Sequence, residues 1–95
     1  MEINTKKRVF HRSKIIEGQF KGLQKLIEGD SYCMDILTQS LAIQKSLASL
    51  NKVVLENHLR THITGMMQSK DAAVQDKAIQ ELMGLYELHN IRGGK

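Results

Sequence analysis

Apolar residues recur along this chain with the spacing of α-helices, in three segments separated by short polar breaks. In the first segment, from about Thr5 to Glu28, they follow one another at steps of seven, four, three and four; these residues are Val9, Ile16, Phe20, Leu23 and Ile27. The spacing predicts an amphipathic first helix. Gly29 to Ser31 are turn-forming residues and are expected to end it.

The second segment has the longest pattern. Its steps alternate between three and four, which is the heptad pattern of a long helix that packs against other helices. The pattern consists of Cys33, Ile36, Ser40, Ile43, Leu47, Leu50, Val54 and His58. Asp30 or Ser31 is the expected N-cap, and the helix is expected to end near Ile63 or Thr64, before Gly65.

A third helix is predicted from about Asp71, with an apolar side formed by Val74, Ala78, Leu82, Leu85 and Leu88. The sequence has no proline and few aromatic residues, so little would interrupt helices and few residues favour strands. We therefore predict an all-α fold with one domain over residues 1–95, in which residues 1–6 and 90–95 are flexible ends.

Composition narrows the classes of partner. A chain of 95 residues buries a limited core alone, so oligomerisation would supply further burial. A net charge of +4 and a pI near 9.4 suggest a polyanionic partner such as nucleic acid. Much of the excess charge lies in the first helix, at Lys6, Lys7, Arg8, Arg12, Lys14, Lys21 and Lys25.

The N-terminal residues lack the apolar core of a signal peptide, and no stretch approaches the length of a membrane span, so a cytoplasmic location and no membrane contact are expected.

Cys33, His58 and His62 form a candidate metal-binding set. His58 and His62 are four residues apart, so a helix presents both imidazoles on one face. Cys33 points within roughly 20° of the direction of His58 but lies about 37 Å away along the helix axis. One copy therefore cannot assemble the site. A second, antiparallel copy that crosses near Ser46 or Leu47 would bring Cys33 beside His58 and His62 of the partner subunit, and two identical sites would form.

A thiolate with two imidazoles suits Cu(I), Ni(II), Co(II) or Zn(II). In the alternative interpretation, Cys33 is a buried small apolar residue and the histidines lie at a solvated helix end. The sequence contains no Gly-rich phosphate loop, no H-E-x-x-H motif and no nucleophile elbow. We therefore predict that the chain is not an enzyme.

Four motifs carry a family resemblance: Arg12–Gln19 (RSKIIEGQ), Tyr32–Gln39 (YCMDILTQ), Asn57–Leu59 (NHL) with His62, and Ala78–Leu82 (AIQEL). With them the chain, from about Lys7 to Leu88, resembles the CsoR/RcnR family of bacterial metal-sensing and formaldehyde-sensing transcriptional repressors. The resemblance implies a three-helix protomer, an antiparallel dimer with a four-helix bundle core, and a homotetramer that is a dimer of dimers. It also implies that operator DNA binds a broad basic surface rather than a helix-turn-helix.

Within that family, Cys33, His58 and His62 match the sensing positions. Nickel and cobalt sensors have a histidine at the position of His62, where copper sensors usually have a cysteine. Tyr32 and Glu81, however, match residues that hydrogen-bond the ligand histidine in copper sensors. Nickel and cobalt sensors also commonly use a histidine near the N-terminus, and Met1 to Lys7 contains none. The resemblance therefore leaves Ni(II)/Co(II) and Cu(I) open, with Zn(II) as a further possibility.

Arg12 matches a basic residue that the family uses for DNA binding, and Lys14, Lys45 and Lys52 are candidates for phosphate contacts. Ser49 replaces an arginine found in some relatives. We expect a repressor that binds operator DNA when metal-free and is released on metal binding at the intersubunit site. A formaldehyde or reactive-species sensor of the same family is an alternative, although Glu2 stands where formaldehyde sensors have proline. A helical adaptor that does not bind DNA is the alternative from another class.

Overall fold

A computed structural model describes the backbone of residues 1–93 and the side chains of residues 1–88. It contains α1 (Ile3–Glu28), α2 (Cys33–His58), a π-helical segment (Leu59–Ile63), α3 (Thr64–Gln68) and α4 (Ala72–Gly93). Residues 1–93 include no strand, which confirms the all-α prediction. Since α2, the π-helical segment and α3 follow one another without a break, the protomer has three helical stretches, as predicted.

The chain divides into two compact units, Met1–Asn57 and His58–Lys95. The single domain predicted for residues 1–95 stays a prediction. The same holds for the flexible ends: α1 already begins at Ile3, and α4 continues to Gly93. Residues 94 and 95 lie outside the described residues.

In the first unit, α1 and α2 form an antiparallel pair. The side-chain amide of Gln39 donates a hydrogen bond to the backbone carbonyl of Gln19 over 2.9 Å. A Cβ added at Gly22 would lie 3.3 Å from the Gln39 amide nitrogen, so the missing side chain allows this close approach. Ile16 and Ile43 are buried, one on each helix.

The inward face of α1 differs from the predicted one. Its residues follow steps of four and three and include polar side chains; all are buried or half-buried, and they are Thr5, Val9, Arg12, Ile16, Gln19, Leu23 and Leu26. Phe20 and Ile27 were predicted to belong to the apolar face, but they are 46% and 53% exposed. The apolar pattern misplaced the face because Arg12 and Gln19, two polar residues, occupy positions on it.

The turn between α1 and α2 is a Schellman motif. The backbone N–H of Ser31 donates to the carbonyl of Leu26 over 3.0 Å, and that of Asp30 donates to Ile27 over 3.1 Å. Asp30 has a φ of 52°, a left-handed conformation that costs a side-chain-bearing residue free energy. Asp30 and Ser31 therefore complete the end of α1, and the prediction that one of them N-caps α2 is wrong. Tyr32 directly precedes α2 instead.

In the second unit, the helix winds more widely over Leu59–Ile63. The backbone N–H of Thr64 donates to the carbonyl of Leu59, five residues earlier, and the Thr64 hydroxyl donates to the same carbonyl over 2.7 Å. A five-residue hydrogen bond defines a π-helical turn, which is frequent at functional sites. Gly65 was predicted to follow the end of the helix, but it lies inside α3. The helix ends at Gln68 because Ser69 is extended, with a ψ of 145°.

Asp71 starts α4 as predicted. Its carboxylate accepts a hydrogen bond from the backbone N–H of Ala73 over 2.9 Å, which satisfies one of the donors left unpaired at a helix start. Ala78 is completely buried, and Val74 and Leu85 are half-buried. Leu82 and Leu88, which were also predicted for the apolar side of this helix, are 36% and 55% exposed in one copy.

Candidate functional site

Cys33 is the first residue of α2 and carries an exposed, free thiol. The carbonyl of the preceding residue, Tyr32, accepts hydrogen bonds from the backbone N–H groups of Asp35 and Ile36, over 2.9 and 3.3 Å. This fixes the first turn of the helix, and so the place of the thiol. The alternative in which Cys33 is a buried apolar residue is wrong. The Tyr32 side chain is 72% exposed beside it.

His58 and His62 lie together at the junction between α2 and the π-helical segment. Their ring centroids are 5.0 Å apart, and the ring planes are tilted by 36°. His58 ends α2, whereas His62 lies in the wide turn. Two imidazoles at this separation can direct ring nitrogens towards a common ion, since metal–nitrogen bonds measure about 2.0–2.1 Å.

Glu81 of α4 contacts His58. The carboxylate oxygen Oε1 of Glu81 lies within hydrogen-bonding distance of His58 Nε2, and both side chains are about one-third exposed, at 38% and 33%. When Nε2 carries the proton, it donates to the carboxylate, and the other ring nitrogen, Nδ1, presents its lone pair. A carboxylate that holds the second nitrogen of an imidazole is the usual support of a metal-binding histidine. The predicted pairing of Glu81 with His58 is therefore present.

The donor set fits a soft or borderline transition metal. An exposed thiol, a half-buried imidazole fixed by a carboxylate, and a second imidazole 5.0 Å from the first are the ligands that such ions prefer. Cys33 and His58, however, are the first and last residues of a 26-residue α-helix, which places them about 37 Å apart along its axis. Among the described side chains of one copy, no three histidine, cysteine, aspartate or glutamate residues form a group that could hold a metal.

Arg12 contacts Ser49 across the α1–α2 pair. Its guanidinium nitrogen Nη1 donates a hydrogen bond to the Ser49 hydroxyl. A cavity of about 280 Å³ lies beside this contact. Its lining residues are Arg12, Ile15, Lys45, Ser46 and Ser49. Two of the four predicted DNA-binding residues, Arg12 and Lys45, are therefore neighbours at one place in the first unit.

Lys14 and Lys52 have different surroundings. The Lys14 ammonium lies 3.2 Å from a carboxylate oxygen of Glu17 and 5.8 Å from the centre of the Phe10 ring. This ammonium, by hydrogen bond and charge, holds the pKa of the Glu17 carboxyl below its usual value, and the charge of Lys21 adds to the effect. Lys52 is exposed on α2. Lys14 is thus partly neutralised, whereas Lys52 presents its charge to solvent.

The sequence did not identify Ser46 and Ser49 as residues that line the cavity beside Arg12. Ser49 was noted only as the loss of an arginine, whereas the structure shows it accepting a hydrogen bond from Arg12. The two residues are 37 positions apart, and no motif links them. Only the register between α1 and α2 brings them together, and that register is set by the polar members of the inward face.

Comparisons with known proteins identify the family of this chain. Residues 5–87 match the family described as metal-sensitive transcriptional repressor. The copper-sensing transcriptional repressor CsoR of Bacillus subtilis (strain 168) is 34% identical over 82 residues, which cover 86% of this chain and 78% of that protein. CsoR of Mycobacterium tuberculosis (strain ATCC 25618 / H37Rv) is 41% identical over 61 residues, which cover 63% of this chain and 51% of that longer protein.

A solved structure is also similar. The crystal structure of the copper-sensing repressor CsoR with Cu(I) from Geobacillus thermodenitrificans NG80-2 matches with a TM-score of 0.82 and 29% identity, over 94% of this chain and 90% of that one. The fold and the family match together define a class, that of helical transcriptional repressors that respond to metals. The chain belongs to the metal-sensitive transcriptional repressor family, as the resemblance predicted. It is a metal-sensing repressor and not an enzyme. Within residues 1–93, none of the helices combines the length and hydropathy of a membrane span.

Proposed function

We propose that this protein binds operator DNA in its metal-free form and is released when a transition metal joins Cys33 of one subunit to His58 and His62 of the partner subunit. The observation that carries the proposal is the contact between His58 and Glu81. It ties a metal-binding imidazole to α4, so a change at His58 reaches another helix. The proposal places the protein in the cytoplasm, where bacterial DNA is found.

An antiparallel dimer of α2 is supported by a second stripe on this helix. Exposed apolar residues follow it at steps of three, four, seven and seven, namely Met34, Leu37, Leu41, Ala48 and Leu55. His62 continues the seven-residue steps after Leu55, and His58 lies in the same stripe. A partner that crosses near Ser46 would place Leu37 opposite Leu55, and the same register would place Cys33 opposite the two histidines. One geometry would therefore bury the stripe and complete both sites.

Tyr32 and Glu81 have complementary parts in this proposal. Glu81 holds His58 within one chain. The exposed Tyr32 precedes Cys33, so in the antiparallel dimer its hydroxyl would approach the histidines of the partner subunit. The two residues would then orient the imidazole from opposite sides of the interface. A dimer of such dimers, the homotetramer expected from the sequence, would carry a net charge of 4 × 4 = +16.

The identity of the metal rests on two opposing observations. Similar repressors are described as copper-sensing, and the solved structure contains Cu(I). The donor set has two imidazoles and one thiolate, which is less soft and therefore suits Ni(II), Co(II) or Zn(II) as well. We propose Cu(I) as the effector, because the relatives and the Glu81 contact support it together. Ni(II) and Co(II) are the second candidates.

Release from DNA requires that the metal favour one conformation. Only a difference in affinity between the DNA-binding and the released form can shift the equilibrium between them. A coupling free energy of about 1–3 kcal/mol is typical, and it is reciprocal: bound DNA weakens metal binding by the same factor. Ligation of one ring nitrogen of His58 would shift its imidazole, and the contact with Glu81 would carry this shift to α4.

The test is a titration of fluorescently labelled DNA from upstream of the gene, with and without Cu(I), Ni(II), Co(II) and Zn(II). Wild-type protein is expected to bind without metal and to be released by the effector. Cys33→Ala is expected to bind DNA normally but to ignore the metal. Arg12→Ala is expected to bind metal normally but DNA more weakly, with a shallower salt dependence. Loss of DNA binding by the metal-free Cys33→Ala variant would contradict this division of roles.

The exposure of Cys33 supports a second candidate function. An exposed thiol is accessible to formaldehyde or reactive species, so a thiol-based sensor repressor of the same family is the alternative. The titration separates the two when formaldehyde is added as a further arm. Release by formaldehyde with no response to any of the four metals would favour the alternative.

A further inference from the structure

The cavity beside Arg12 lies between α1 and α2, within the first compact unit. We infer that this cavity seats one phosphate group of the DNA backbone and that Ser49 positions the Arg12 guanidinium for it. The inference rests on the proposed DNA-binding function. We call the four polar residues around the cavity, Arg12, Lys45, Ser46 and Ser49, the phosphate seat.

The hydrogen-bonding capacity of Ser49 fits this role. A serine hydroxyl has one donor hydrogen and two acceptor lone pairs. Ser49 already accepts from Arg12 Nη1, so its own hydrogen remains to be directed into the cavity. A guanidinium has five N–H donors in a planar fork, which suits two oxygens of one phosphate. Ser49 can therefore hold one edge of the guanidinium while the other edge faces a phosphate.

The charge of the cavity suits an anion. Its described lining contains two cationic and two hydroxyl-bearing residues, and none of these lining residues is acidic. Arg12 and Ser49 are half-buried, and a charge in such surroundings is less screened by water and salt than one on the open surface. Lys14 differs, because Glu17 already accompanies it. The seat thus offers two cationic side chains without an acidic neighbour in its lining, which Lys14 does not.

Ser49 also has a consequence that an arginine at that position would not have. A second guanidinium cannot accept a hydrogen bond, so it would repel Arg12 instead of holding it. Compared with an arginine at this position, Ser49 carries no positive charge, but it orients the Arg12 guanidinium. Lys45, four residues earlier on α2, supplies a positive charge on the same side of the helix.

The test is the DNA titration, repeated at several salt concentrations with matched variants. Ser49→Ala is expected to weaken binding about tenfold, the size of a lost hydrogen bond to a charged group, while the salt slope stays unchanged because no charge is lost. Ser49→Thr, which keeps the hydroxyl, is expected to bind like wild type. Lys45→Gln is expected to weaken binding and to lower the salt slope by about 0.9, the value for one phosphate contact.

Two controls match these changes. Ser40→Ala removes another half-buried hydroxyl of α2, and Lys70→Gln removes an exposed charge of the second unit. Neither is expected to change the affinity or the slope. The probe for the seat itself is inorganic phosphate, followed by NMR. A saturable shift of the Arg12 side-chain Nε–H resonance is expected in wild type, and its loss is expected in Ser49→Ala.

The results distinguish a failure of the proposed DNA-binding function from a failure of the phosphate seat alone. If wild-type protein binds no DNA at any salt concentration, the proposed DNA-binding function fails. If wild type binds and Ser49→Ala binds equally well, only the phosphate seat is overturned. Equal phosphate shifts along the whole basic side of α1 would also overturn it, because they would indicate unspecific attraction.

Discussion

At the scale of single residues, two carboxylates have opposite roles beside the groups that we propose to be functional. Glu81 supports His58, whereas Glu17 neutralises Lys14. The first contact orients the imidazole that we propose as a metal ligand, and the second reduces the positive charge that DNA would meet. Removing either carboxylate therefore changes a different activity, and each change gives a separate prediction.

Glu81→Ala is expected to uncouple metal binding from DNA release. Without the carboxylate, His58 loses its fixed orientation, and metal affinity is expected to fall about 10- to 100-fold, the usual effect of losing such a partner. At saturating metal, DNA release is also expected to be impaired, because α4 no longer follows His58. A competition titration for the metal and anisotropy of labelled DNA measure the two effects. Glu87→Ala, an exposed carboxylate of the same helix, is the control, and metal-driven release equal to wild type in Glu81→Ala would refute the coupling.

Glu17→Gln is expected to strengthen DNA binding a few-fold at low salt, because Lys14 then offers its full charge to phosphate. The lowered pKa of Glu17 gives the matching pH dependence. The Lys14–Glu17 pair is present above the usual pKa of a glutamate and is lost as the pH falls through the lowered value. Glu28→Gln, an exposed carboxylate near the end of α1, should have a smaller effect. An unchanged affinity in Glu17→Gln would mean that Lys14 does not contact DNA.

At the scale of elements, the helix ends are fixed by side chains and turns that can be tested singly. Asp71 caps α4, and the side-chain amide of Gln75 donates a hydrogen bond to the backbone carbonyl of Ser69, directly after α3, over 2.6 Å. Asp30 forms the end of α1 in a left-handed conformation. These contacts determine where helices begin and end more than the apolar pattern does.

Asp71→Ala is expected to destabilise the protein by about 1 kcal/mol, the usual cost of removing an N-cap. The expected readout is a lower melting temperature and a lower denaturant midpoint, measured by circular dichroism. Asp71→Asn keeps a cap that accepts the same hydrogen bond and is expected to remain close to wild type. If both variants melt alike, the charge rather than the cap stabilises the start of α4.

How much of the fold the sequence predicts also depends on the element. The three helical stretches, and a start of α4 near Asp71, follow from the helical spacing of the apolar residues. The inward face of α1 does not, because two polar residues, Arg12 and Gln19, lie on it, and only the packing against α2 shows this. The π-helical segment is likewise not predictable, since Leu59–Ile63 differs from an α-helix only in its hydrogen bonds. For the candidate site, spacing suggested the two histidines, whereas the Arg12–Ser49 contact required the packed pair of helices.

At the scale of the whole molecule, much apolar surface stays uncovered in one copy. Besides the stripe on α2, the described part of α4 exposes Ile79, Met83 and Tyr86, at 48%, 54% and 62%. Contiguous apolar surface of this kind usually marks an interface. A single chain of this size therefore buries less than its sequence offers, which agrees with the proposed assembly from several copies.

Leu37→Asp is expected to break the proposed dimer, because a carboxylate would be buried in the α2 stripe, opposite an apolar side chain and without a partner. Sedimentation velocity should show smaller species, and metal binding should weaken together with the dimer, since each site needs two subunits. Ile79→Asp places the same charge on α4 and is expected to leave the α2 dimer intact. A Leu37→Asp variant that still dimerises and binds metal as wild type does would exclude the antiparallel α2 interface.

The wide turn at Leu59–Ile63 has a further consequence for the residues that follow it. A π turn contains about one residue more than an α turn, so a variant shortened by one residue here would return to ordinary α-helical winding. A deletion between the two histidines would leave them three residues apart in an ordinary α-helix, where residues at that spacing are still neighbours on one face. The shortened chain would therefore keep the two imidazoles side by side and would alter the 36° tilt between their rings, so the wide turn determines the geometry of the pair and not its existence.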